Sequence, residues 1–283
     1  MKKIIAAAVA TAFVTPAFAA DVNLSGLVEV AYVDANGTTE VARGDNAFYI
    51  SATTETNNGL TVSADINLTG DGANDGGQSL DVAGPFGKIE IGDTSSAADK
   101  FDDRTDLDVM VGAPGTSAGD SAIGWTLPEM VPGLVAYVSH SADVNPSSAD
   151  AAAHTGIALS YTAGPVNVAY ADNNADDDAT DKTYVGATVS FGGLKVFAEV
   201  MQSGASNDET EERGMGVQYS MGDLTLSYSQ QEVESSADVV SADKTFVGVK
   251  YAMGGGVTAF VENVSDDKNA DSDKTAAGLA FAF

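Results

Sequence analysis

Taken two residues at a time, the chain separates into an apolar row and a polar row almost from end to end. In "LTVSADINLTG", Leu60, Val62, Ala64, Ile66 and Leu68 share one parity, and Thr61, Ser63, Asp65, Asn67 and Thr69 share the other. "LKVFAEV" sets Leu194, Val196, Ala198 and Val200 against Lys195 and Glu199. "GDLTLSYS" repeats the pattern with Leu224, Leu226 and Tyr228. A period of two is the mark of a β-strand with one apolar and one polar face. Sixteen such strands are expected, at 22–33, 44–55, 60–69, 78–83, 88–92, 121–127, 134–141, 154–162, 166–171, 183–191, 194–202, 213–220, 224–230, 244–252, 257–264 and 274–283.

The connections alternate as well. "NNG", "GPFG", "PEMVPG", "AGP", "GG", "MGD" and "GGG" are short turns built from Gly, Pro and Asn. Between them fall longer, acidic segments such as "DNNADDDATDK" and "VSDDKNADSDK". Short turns on one rim and long loops on the other are the layout of an antiparallel transmembrane β-barrel. An even strand number puts both termini on the short-turn rim, the periplasmic one.

Such a barrel needs aromatic residues at both lipid–water interfaces. By parity Tyr161, Phe191, Tyr219, Tyr251 and Phe283 point outward near the short turns, and Tyr32, Phe48, Tyr170 and Tyr228 point outward near the long loops. The chain ends on "GLAFAF", which reads as a closing strand with Phe281 and Phe283 toward lipid. A secreted β-sandwich or β-helix also alternates, but it requires neither the two aromatic belts nor the two unequal rims.

The first 20 residues, "MKKIIAAAVATAFVTPAFAA", have the pattern of a secretory signal peptide: Lys2 and Lys3, an apolar run from Ile4 to Val14, Pro16, then small residues. The run is too short for a helical membrane anchor. Ala17 and Ala19 point to cleavage before Ala20, with cleavage before Asp21 the near alternative; the expected division is 1–20 leader and 21–283 barrel. Loss of the two lysines takes the formal net charge from −28 to −30. Charge of that sign excludes nucleic-acid binding through phosphate neutralisation. The chain has no cysteine, so no disulfide supports it.

One connection is out of scale. "DTSSAADKFDDRTDLDVMVGAPGTSAGD" follows the fifth expected strand and carries Asp99, Asp102, Asp103, Asp106 and Asp108 against Lys100 and Arg104. Phe101, Leu107, Val109 and Met110 let part of it bury apolar surface. Loops of this length are commonly functional. With this loop, "GPFGKIEIGD", "SAIGWTLPEMVPGLVAYVSHS" and the terminal Phe283, the chain resembles a Gram-negative general porin. The resemblance covers essentially the whole chain beyond the leader. It implies an all-β, sixteen-stranded antiparallel barrel in the outer membrane, with the long third loop folded into the lumen to narrow a diffusion channel. It further implies a homotrimer, contact with lipid and lipopolysaccharide, a terminal Phe283 read by the barrel-assembly machinery, and small hydrophilic solutes as cargo.

The sequence also departs from that family. The third loop lacks the Pro-Glu-Phe-Gly-Gly type of turn found in many members. The arginine cluster that often faces it is absent from the early strands, whose polar positions offer Glu29, Ser51, Asp65, Asn67, Asp81 and Glu90, with Arg43 and Lys88 as the few cations. The expected interior is therefore mostly of one sign. It should prefer cations, with Asp99, Asp102, Asp103, Arg104, Asp106 and Asp108 at the constriction and Glu29, Arg43, Asp65, Asp81, Lys88 and Glu90 on the wall. No cofactor is expected. "DGANDGG" at 71–77 and "DNNADDD" at 172–178 offer oxygen ligands for at most weak calcium binding, and neither has EF-hand spacing.

Other classes have less to stand on. His140 and His154 are the only histidines and sit in no nucleophile motif, so no catalysis is expected. A plugged structural or adhesive barrel would fill its interior, yet Ser25, Thr53, Thr61, Ser63, Ser160 and Ser227 are small inward residues. A substrate-specific channel would show an ordered aromatic or basic track. The inward aromatics Tyr49, Phe197, Phe246 and Phe260 are instead scattered over the strands.

Overall fold

The computed structural model describes residues 20–283 except 45, 70–76, 103, 105–106, 112–119, 142–152, 176–180, 205–208 and 238. Residues 1–19 of the expected leader, Asp103, Asp106 and much of the two acidic runs therefore lie outside the described residues.

Seventeen strand segments form one antiparallel sheet. They are β1 (Asp21–Ala35), β2 (Thr38–Arg43), β3 (Ala47–Glu55), β4 (Thr61–Thr69), β5 (Gln78–Gly84), β6 (Gly87–Ser95), β7 (Asp120–Thr126), β8 (Leu134–Ser141), β9 (His154–Ala163), β10 (Val166–Ala175), β11 (Lys182–Phe191), β12 (Leu194–Ser203), β13 (Thr210–Met221), β14 (Leu224–Ser235), β15 (Val239–Gly254), β16 (Val257–Asp266) and β17 (Lys274–Ala282). β2 and β3 both pair with β1 and make one interrupted strand, so the barrel has sixteen staves. It closes where β17 pairs with β1, from Leu27↔Ala282 to Ala35↔Lys274. The seam continues to the last residue: the Gly26 N–H donates to the Phe283 carbonyl at 2.9 Å, and the Phe283 N–H donates to the Gly26 carbonyl at 3.0 Å. Closure leaves no open sheet edge, which is the condition for strands to cross lipid. The ten-residue strands β9 to β12 have the length that a tilted strand needs to do so. Among the described residues no helix is long and apolar enough to cross a membrane, a statement that bears on helices alone.

The burial pattern inverts that of a water-soluble protein. Ile157, Leu159, Tyr161, Val185, Val189 and Val196 are exposed, while Glu29, Glu199 and Glu262 are buried. The exposed row is the outer, apolar one, and the buried row faces the barrel interior. All nine aromatics expected to point outward are exposed. Trp125 joins them and donates its indole N–H to the Phe86 carbonyl at 2.9 Å, beside the turn at 84–87. Phe281 and Phe283 stack with centroids 5.4 Å apart.

Two differences from the expected strands have plain causes. The long-loop rim opens with a tight hairpin, because Asn36 and Gly37 both take positive φ (53° and 75°) and bring Thr38 back against Ala35. β13, β14 and β15 also run past the expected ends, pairing as far as Ser235↔Val239. Their extensions carry Glu211, Glu232 and Glu234 on the outer row, around Arg213 at the end of the expected strand, so they lose the apolar alternation while keeping the backbone ladder.

Candidate functional site

The interior is built from the inward rows and from the connection between β6 and β7. That connection begins against the wall. Ser96, Ala97 and Ala98 are fully buried, and the Ala97 N–H donates to Ser139 Oγ at 2.8 Å. Ala97 and Ala98 pack with Tyr137, Ala158, Ala169, Ala171, Tyr184 and Met201, with Phe101 alongside. The sequence permits this because β8 to β11 present small inward residues, leaving room for a second layer of chain.

Arg104 comes next and is spent on the wall. Its Nε donates to Tyr184 Oη at 2.8 Å, one terminal nitrogen to Thr188 Oγ1 at 2.5 Å, and the other to Asn167 Oδ1 at 2.8 Å. Its backbone N–H donates to Glu199 Oε2 at 3.1 Å. Further along, Leu107 and Val111 join a cluster with Phe197, Phe246, Phe260, Val264 and Ala276, against which Val109 and Met110 also pack. Three of the four aromatics assigned inward by parity are thus the seat of this connection, whereas Tyr49 is 39% exposed. The Met110 N–H donates to Glu262 Oε2 at 3.1 Å, and Lys250 Nζ donates to the Asp108 carbonyl at 2.9 Å. Met110 also reaches Gly44, where a side chain would collide with Glu29. The described part of the connection therefore follows the inner wall from β8 round to β1, facing the inward rows of β3 to β6.

Those rows hold most of the expected wall residues. Asp65 is exposed, cross-strand from Ser51 and Ser79. Asp81 and Glu90 both pair with Lys88, at 3.2 and 2.7 Å, and Glu90 also pairs with Lys100 at 3.2 Å. Lys100 lies 4.5 Å from the centroid of the Tyr137 ring. One bracket of two acids and two cations thus ties the wall to the start of the connection. Glu29 is buried on β1.

Arg43 is not on the inner wall. It sits opposite Val30, in the outward row with Val41. Between the pairs Val30↔Arg43 and Leu27↔Ala47, two residues of β1 face three residues of the partner. The partner side is one residue longer than β1 between these pairs, and a shift of one residue turns every later side chain to the other face. Parity counted back from Tyr49 and Ser51 therefore puts Arg43 on the wrong side.

Of the expected constriction residues, Asp99 opens the short 3-10 turn Asp99–Phe101 and is half-buried. Asp102 is buried, and both lie within electrostatic range of Lys182. Asp108 is half-buried. The interior is not of one sign. Lys182, Lys195, Lys244, Lys250 and Lys274 occupy inward rows of the later strands, among them Lys195 placed 4.9 Å from the Phe197 ring centroid. These lysines were readable from parity, since Lys182 precedes the inward Tyr184 by two and Lys195 precedes Phe197 by two. They lie on β11, β12, β15 and β17, away from the early strands that hold the expected wall residues. Glu199 shares the polar row of Lys195, and Glu262 lies on β16; both hold the connection and neither belongs to the expected wall. Among the described residues no group of acids and histidines could hold a metal ion.

A closed barrel with an apolar exterior, a charged interior and an inner layer of chain on its wall is a membrane-spanning channel fold. The model of the Gram-negative porins matches residues 6–283, and the chain belongs to that family, whose members form outer-membrane channels. Its fold is similar to a porin refined at 1.8 Å resolution, with TM-score 0.74, 18% identity, and coverage of 93% of this chain and 100% of that one. It is also similar to an anion-selective porin from Comamonas acidovorans, with TM-score 0.72, 18% identity and the same coverage. A mutant of the Rh. blastica porin aligns with TM-score 0.73 and 17% identity over the same shares of both chains. No curated protein matches the chain.

Proposed function

We propose that this porin admits small hydrophilic solutes and ions by passive diffusion, with a preference for cations, through the space between the connection on its wall and the inward rows of β3 to β6. The observation that carries the reading is the contrast between the two faces of that space. The connection's cation Arg104 is bonded to the wall, and Lys88 and Lys100 are held by Asp81 and Glu90. Asp65 stays exposed and makes no ion pair among the described residues. A fixed carboxylate beside low-dielectric walls, in a chain of formal net charge −28, concentrates cations and repels anions. The anion-selective neighbour from Comamonas acidovorans shows that the fold does not carry the sign of selectivity; the side chains do.

On this reading the first 20 residues direct secretion and are removed, both termini face the periplasm, and Phe283 is the assembly signal. The barrel works as a trimer among lipopolysaccharide. The test is a planar bilayer under a KCl gradient. A cation-sided reversal potential supports the assignment. An anion-sided one retains the channel and overturns its sign.

A further inference from the structure

At the long-loop rim, a cavity of about 350 Å³ opens on the interior between β15, β16 and β17. That is within the range of small-molecule sites. Its apolar lining is Val264 of β16 and Val111 of the connection between β6 and β7. Its sides carry both signs: Lys244 and Lys274 on one hand, Asp266 and Asp271 on the other, with Ser272. The register explains the grouping, since Lys244 is cross-strand from Asp266 and Val264 from Lys274.

The frame is preformed. Asp266 Oδ1 accepts the backbone N–H groups of Asp243 at 3.1 Å and Lys268 at 2.9 Å. The Asp271 carbonyl accepts the Asn36 side-chain amide at 2.6 Å, and the Asn263 side-chain amide donates to the Lys274 carbonyl at 3.1 Å. Asp266 is thus largely committed to the backbone. Lys244 lies within electrostatic range of Asp266 and Glu212, but among the described residues neither Lys244 nor Lys274 makes a direct ion pair.

We propose that this cavity is a binding site for small zwitterions of the α-amino-acid type, carrying an apolar side chain. The Lys244 and Lys274 ammonium groups take the carboxylate, Asp271 takes the ammonium, and Val111 and Val264 take the side chain. The counter-argument is an ordinary anion. The protein's charge repels a net anion before it reaches the cavity, whereas a zwitterion carries no net charge. The inference rests on the channel reading and names a solute class for it.

The test uses the purified full barrel in detergent micelles and saturation-transfer NMR with L-leucine. The single-charge analogues 4-methylpentanoate and isoamylamine serve as controls. Saturable leucine binding should exceed that of either analogue. It should weaken about tenfold or more in Lys244→Gln/Lys274→Gln, two charge-assisted bonds being lost. Asp271→Asn should weaken leucine while leaving 4-methylpentanoate unchanged. Absence of a saturable leucine signal, equal binding of all three probes, or full binding by folded variants overturns the proposal. KCl conductance of the same preparations is recorded separately. Its absence contradicts the channel, while intact conductance without leucine binding contradicts this site alone.

Discussion

Removing the Arg104 side chain should loosen the connection between β6 and β7 without opening the barrel. The guanidinium makes three hydrogen bonds, to Tyr184, Thr188 and Asn167, at 2.8, 2.5 and 2.8 Å. Hydrogen bonds to a charged group contribute about 1.5–3 kcal/mol each. Arg104 is only partly buried, so the low end applies, and shared desolvation makes the three less than additive. A local loss of about 3 kcal/mol is the working figure. At about 1.4 kcal/mol per tenfold, it raises the population of the detached segment by roughly two orders of magnitude. The apolar anchors at Ala97–Ala98 and at Leu107 and Val111 remain, so detachment is confined to the stretch between them. Single-channel recording of Arg104→Ala in symmetric KCl should show excess current noise and flicker, with unchanged heat-modifiable migration on gels. Tyr184→Phe should give a weaker form of the same noise, and the double variant should add less than the sum. Noise and conductance identical to the parent would refute the claim that Arg104 fixes this segment.

Three further outcomes follow from named contacts. Glu90→Gln removes an acid that holds both Lys88 and Lys100, so the reversal potential under a KCl gradient should move toward anions while the channel stays open. Gly256→Val should hinder folding: Gly256 has φ +82°, and a side chain there meets the Ala282 carbonyl. The expected cost is at least about 1–2 kcal/mol, seen as a lower urea midpoint. Deleting Phe283 removes the pairing with Gly26 and the stack on Phe281, and should lower the yield of heat-modifiable barrel in outer-membrane fractions.

The outer surface was the most legible part of the sequence, because lipid demands an apolar side chain at every second position and that demand is local. Tyr161, Phe191, Tyr219 and Tyr251 could be placed by counting. Above the apolar band the demand ends, so Glu211, Glu232 and Glu234 conceal strand extensions that the backbone ladder sustains. Asn36–Gly37 was a readable turn signal, but it was absorbed into an expected long loop. Arg43 faces outward because the chain gains one residue over β1 between Arg43 and Ala47, a change of register that leaves no mark in the alternation. The course of the connection between β6 and β7 was illegible for another reason: the partners of Arg104 are 63 to 95 residues away, brought near only by barrel closure. Its apolar residues showed that it buries surface, without showing where.

On the proposed function, solutes pass over the inward row of β4, opposite the chain layer on the far wall. Because the chain has no cysteine, single cysteines report position cleanly. The most direct measurement is planar-bilayer conductance of Asp65→Cys during addition of a positively charged methanethiosulfonate reagent, with the outward Leu80→Cys as control. Asp65→Cys should already show a weaker cation preference than the parent, and the reagent should then lower its conductance stepwise, with no change in Leu80→Cys. An open channel that ignores the reagent at position 65, or responds equally at position 80, would contradict the proposed function.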